Sequence, residues 1–144
     1  MAEKLSFDTG VREYEINDNG ILRFNPSDPN VYKRFKDLYE DIRSIESEIE
    51  EKSQEISDGM ETVDLLAKYD ALMKSKLSYV FGEENDFDKL LGGVNLMAVT
   101  RSGNMVVVNL MDALKPIIEQ GVKAYAKTQA ALSVEKARQE RAKR

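Results

Sequence analysis

Residues 29–57 read PNVYKRFKDLYEDIRSIESEIEEKSQEIS, and within them Val31, Phe35, Leu38, Ile42, Ile45, Ile49 and Ile56 recur at helical spacing, with Lys52 standing in the one gap. The spacing predicts a single long helix carrying a narrow apolar seam inside a charged sheath. A seam that keeps a 3.5-residue repeat through four heptads suits contact with other helices. Two uses fit it. The seven residues either pack inside the monomer against helices predicted at about 58–81 and 104–125, or form a partner-binding or oligomer seam. The distal part, Ile45, Ile49 and Ile56 among Glu46, Glu48, Glu50, Glu51 and Glu55, is the part expected to project beyond a core.

Working outward, Asn25-Pro26-Ser27-Asp28-Pro29 marks where the helix starts. Asp28 has the chemistry of an N-cap, and Pro29 suits the first helical position because its missing N–H would be unbonded there anyway. Upstream, Leu5–Phe7, Val11–Ile16 and Ile21–Phe24 are separated by Asp8-Thr9-Gly10 and Asn17-Asp18-Asn19-Gly20, which predicts an antiparallel β-meander over 5–24. Asn19-Gly20 is the expected positive-φ pair. Downstream, Asp58 and Glu61 have capping-box spacing for a second helix, whose buried face is Leu66, Tyr69, Met73, Leu77 and Val80. Gly82 closes it, so a helical hairpin is expected. Phe87, Leu90 and Leu91 fit one short helical turn, and Val94–Thr100 is extended in character. Val107, Leu110, Met111, Leu114, Ile117, Ile118 and Val122 share one face of a third long helix. Val106-Val107-Val108 suits a strand as well, and Pro116 is expected to kink the helix or divide it.

Composition restricts the chemistry. The chain has 144 residues, 42% hydrophobic and 33% charged, with no cysteine and no histidine. Disulfide and thiol chemistry are excluded, and the commonest general base and metal ligand are missing. Neither a signal peptide nor an apolar membrane span is legible, so a cytoplasmic protein is expected. The net charge of −5 is unevenly spread: residues 126–144 carry six Lys/Arg against two Glu, +4, which leaves −9 for residues 1–125. An acidic body carries a basic tail.

No motif restores an active site. Glu83-Glu84-Asn85-Asp86-Phe87-Asp88 has the ligand types of a hard cation but fails the EF-hand pattern, and reads as a solvated acidic loop. Gly92-Gly93 lacks the flanking residues of a phosphate loop and reads as a turn. No cofactor or metal is expected, and the chain is read as a non-enzyme. The tail residues Lys127, Lys136, Arg138, Arg141, Lys143 and Arg144 suit a solubilising end, a docking segment for an acidic or helical partner, or phosphate contacts. The last is disfavoured by the acidic body and by the lack of aromatic residues after Tyr125.

The order of parts resembles a known family. A β-meander, then Phe24-Asn25-Pro26-Ser27-Asp28-Pro29-Asn30-Val31-Tyr32-Lys33-Arg34-Phe35, a long acidic helix, Val80-Phe81-Gly82-Glu83, Leu91-Gly92-Gly93-Val94-Asn95 and a basic tail are similar to the small tail assembly chaperones of long-tailed phages and prophages of Gram-positive bacteria. The resemblance covers most of residues 14–125. It implies a non-enzymatic protein of the bacterial host cytoplasm that coats the helical, aggregation-prone tape measure protein during tail assembly and is absent from the mature virion. Other tail proteins would be further partners, and in several such proteins translational frameshifting supplies a longer form. The family offers no catalytic residues to carry over.

These readings combine into an α+β, mostly helical fold: a single domain over 1–125 and a basic, partly disordered or conditionally helical tail over 126–144. The expected function is tail assembly chaperoning, with possible homo-oligomers. A structural or scaffold subunit of a particle is the alternative, and a nucleic-acid-binding accessory protein the third.

Overall fold

The computed structural model describes residues 1–55 and 59–142. Strand β1 (Arg12–Ile16) pairs antiparallel with β2 (Gly20–Phe24), opposing Tyr14 to Leu22 and Ile16 to Gly20. Helices α1 (Pro29–Glu55), α2 (Gly59–Phe81), α3 (Phe87–Leu90) and α4 (Val106–Ala142) follow. The chain is thus α+β and mostly helical, as its periodicities require. The start of α1 is set by Asp28, whose carboxylate accepts the Asn30 N–H at 2.9 Å. Expectations for Ile56, Ser57 and Asp58, and with them the capping box, lie outside the described residues.

The meander is corrected to a two-stranded hairpin. Residues 1–11 have no regular structure and are all exposed, Leu5 and Phe7 at 84% and 77%. Alternation alone cannot hold Leu5–Phe7 in a ladder, because burying neither side chain leaves the ordering entropy unopposed. Of the expected positive-φ pair Gly20 alone has it, at 157°; Asn17 and Asp18 form the turn with φ of 46° and 63°, and the Asn19 N–H closes it on the Ile16 carbonyl at 2.8 Å. Asn19 instead donates through its side chain to the Leu90 carbonyl at 3.2 Å, tying the turn to α3.

One core joins all elements. Leu22, Leu38, Met73, Leu77, Leu96, Val107, Met111 and Ile118 are among its most deeply buried side chains. Phe81 is its aromatic hub, with ring centroids 4.8 Å from Phe24, 5.9 Å from Phe87 and 6.5 Å from Phe35. Such edge-on and tilted pairs add to the area they bury. Helix α4 runs antiparallel to α1: Val108 and Met111 lie near Ile42 and Glu46, Lys115 and Ile118 near Phe35 and Lys36, Val122 and Tyr125 near Asp28 and Pro29.

The third helix is longer than expected and undivided. It continues through Pro116 and on to Ala142, so of the two states expected for the tail, partly disordered or conditionally helical, the helical one is seen through that residue. Pro116 and Asp112, whose carbonyl loses its N–H partner, are both exposed, and water can replace the missing bond. Residues 123–142 are exposed throughout and bury no apolar face; their Ala, Lys, Arg, Gln and Glu content favours helix on local propensity alone. The expected boundary at 125 is no break in the backbone.

Lys74 organises a polar cluster at the core's edge. Its ammonium donates to Asp70 at 3.0 Å and Asp88 at 2.8 Å, while Asp70 also accepts the Leu96 N–H at 2.8 Å. Partial burial works against the ammonium, but the hydrogen bonds it donates to Asp88 and Asp70 outweigh it and the lysine pKa is raised. A raised lysine value contributes stability that is complete below the ordinary value near 10.4 and disappears as pH climbs through the folded-state value. Thermal melts should therefore show an alkaline loss of stability above about pH 10.4 that is smaller in Lys74→Met. An equal alkaline loss in both proteins would remove Lys74 as its cause.

Candidate functional site

The start of α4 is fixed by two backbone bonds, from Val106 N–H to the Ala98 carbonyl and from Val107 N–H to the Leu96 carbonyl, both at 2.9 Å. These bonds absorb the β-branched Val106-Val107-Val108 into a helix start, while the extended character expected for Val94–Thr100 survives only as an isolated bridge between Val99 and Met105. The helix then passes the end of β1 without closing against it. Between them lies a groove of about 600 Å³. Tyr14 and Ile16 form one wall, Leu91 and Val94 the floor at one end, and Val106, Leu110, Ala113 and Ile117 the other wall. Tyr14 is held by stacking on Phe24 at 5.1 Å between centroids. Glu15 is the one carboxylate among the described lining residues, and with Asn17, Thr100 and Asn109 it interrupts a mostly apolar concavity within the roughly 300–1,000 Å³ size range of binding pockets.

Nothing in that lining resembles a nucleophile with a base beside it. In the acidic run Glu83, Glu84, Asp86 and Asp88 are exposed, while Asn85 and the two aspartates make structural contacts. Asn85 is 3% exposed: its amide accepts the Arg23 N–H at 2.8 Å and donates to the Arg23 and Phe81 carbonyls, each at 2.9 Å. Asp86 accepts the Lys89 N–H at 3.3 Å as the N-cap of α3, and Asp88 holds Lys74. Among the described residues no three carboxylates gather in a manner that would hold a metal ion. Gly92 and Gly93, with φ of 66° and 75°, form the turn their sequence suggests.

No family model, curated protein or solved structure matches this chain. Any functional reading rests on the chain's own residues and geometry.

The seven seam residues divide. Val31, Phe35, Leu38, Ile42 and Ile45 are buried, at most 7% exposed, within this chain's own core; their place as a surface for a partner or oligomer is corrected, since the helices of one copy already cover them. Ile49 is half-buried against the same core, and Ile56 lies outside the described residues. Even the gap at Lys52 has an intramolecular use. Its ammonium donates to the Tyr69 hydroxyl at 3.2 Å and lies over that ring, and the hydroxyl donates to Glu48 at 2.8 Å. Of the basic tail, Lys127, Lys136, Arg138 and Arg141 are exposed along the α4 extension, while Lys143 and Arg144 lie outside the described residues. Among the described residues no helix is long and apolar enough to cross a membrane.

Residue spacing did not point to the groove. Tyr14 and Ile16 carry only a strand signal, and Leu110 and Ile117 share the helical face expected to be buried. The clue available in sequence was an excess: α4 has more apolar positions than its buried stripe of Val107, Met111, Leu114 and Ile118 uses.

Proposed function

We propose that this chain is a non-enzymatic tail assembly chaperone that holds helical segments of the tape measure protein in the groove between β1 and α4. The observation that carries the reading is the groove itself: a broad concavity walled by apolar side chains on two rigid elements, with one carboxylate and no catalytic pair. Such a trough suits the apolar face of an amphipathic helix, which docks through residues spaced three and four apart. The motif order that resembles tail assembly chaperones supports the same assignment, and the acidic surface supplies the charge that keeps an unloaded holder soluble. Weak binding by each copy suffices if many copies line one long client, because sites on one chain are linked in effective concentration.

Val94→Glu with Ala113→Glu tests the assignment without entering the core, since both side chains line the groove from exposed positions. The pair is expected to cut recovery of this chain on a tagged tape measure protein at least about tenfold, with melting kept within about 1 kcal/mol of the parent. Undiminished recovery would place the client elsewhere on the surface.

A further inference from the structure

We infer that copies of this chain associate head to tail, the basic extension of α4 in one copy lying on the acidic tip of the α1–α2 hairpin in the next. The antiparallel course of α1 and α4 sets the geometry. Helix α4 meets α1 first near Ile42 and Glu46, last near Asp28 and Pro29, and then leaves the body at that end. The hairpin tip, where α1 ends at Glu55 and α2 begins at Gly59, stands at the opposite end. Residues 126–142 extend about 25 Å as a helix at 1.5 Å per residue, directed away from that tip, so the two ends of one copy cannot meet. Two copies in the same orientation bring them together.

The charges are complementary and largely uncommitted to the fold. The stretch from Glu46 to Glu55 carries five glutamates against Lys52, and Glu61 and Asp64 add to it from α2. Glu50, Glu51 and Glu55 are exposed. The extension presents Lys127, Lys136, Arg138 and Arg141 against Glu135 and Glu140, with Leu132 and Val134 also exposed, at 58% and 54%. A basic helix that no other described residue of its own chain covers, carrying two apolar side chains, fits the second copy's acidic helical pair. The contact joins two different surfaces, so a dimer does not saturate it: each pair keeps a free tail and a free tip, to which further copies add as a string. Opposite charges at the two ends favour this orientation and resist tip-to-tip pairing. The inference is independent of the client proposal: a string forms without tape measure protein, and either can fail alone.

Sedimentation equilibrium on the full chain tests it. At low salt the average mass should rise above the monomer with concentration, and 0.5 M salt should return it to the monomer because the Debye length falls to only a few ångströms. Lys136→Glu/Arg138→Glu/Arg141→Glu and, separately, Glu50→Lys/Glu51→Lys/Glu55→Lys should each weaken association at least about tenfold while melting like the parent. Mixing the two variants restores opposite charges at every junction and should restore the higher masses. Monomer mass throughout the parent's low-salt series, association that survives either reversal, or a mixture that stays monomeric would each overturn the inference.

Discussion

Replacing Asn85 with alanine is expected to lower the unfolding free energy by about 3–4 kcal/mol, although the residue lies in a run that reads as a solvated loop. Its amide makes three hydrogen bonds to backbone from a position 3% exposed, two of them to the N–H and carbonyl of Arg23 on β2 and one to the last residue of α2. Alanine leaves those groups without partners where water has poor access, and each orphaned group costs about 1–3 kcal/mol before local relaxation. The hairpin is then held to the helices mainly by Leu22, Phe24 and the bond from Asn19. Aspartate is no remedy, because it cannot donate and would set a carboxylate against two carbonyls. Urea unfolding of Asn85→Ala and Asn85→Asp measures the loss; a change below about 1 kcal/mol in both would mean that the clamp is not a stabilising contact.

Gly121→Val should cost about 3 kcal/mol, for a reason no helix propensity would suggest. Gly121 is buried in the middle of α4, and a Cβ built there runs into the backbone carbonyl of Pro26. Backbone cannot swing aside as a side chain does, so any added carbon lifts α4 off the turn that starts α1. Alanine should be milder, since its gain in helix propensity of about 1 kcal/mol offsets part of the clash. Gly59 is the control: nothing lies within 4 Å of its would-be Cβ, and Gly59→Ala should be neutral or stabilise by up to about 1 kcal/mol. Equal effects at the two glycines would contradict the close approach of α4 to Pro26.

The residues that read correctly from sequence are those whose pattern is local. The spacing of Val31, Phe35, Leu38 and Ile42 specifies a helix and a buried face whichever surface covers it, and Met73, Leu77, Met111 and Leu114 behave alike. What covers the face is a tertiary fact. A 3.5-residue repeat is satisfied equally by helices of the same chain or of another, so spacing leaves both uses of Val31 to Ile45 open, and the structure places them in the core. Leu5 and Phe7 show the converse, since alternation predicts a strand but cannot supply its neighbour. Asn85 and Gly121 were hidden because their roles depend on Arg23 and Pro26, far away along the chain. The groove was hidden too, being the space left where β1 and α4 diverge.

The functional assignment is tested most directly by co-expressing this chain with a tagged tape measure protein from the same genome and measuring the soluble client and the mass of the complex. The account predicts that the client becomes soluble only in the presence of this chain, and that the purified complex contains many copies per client. A client that stays insoluble with nothing co-purifying would contradict it, and would favour a structural subunit found in the finished particle.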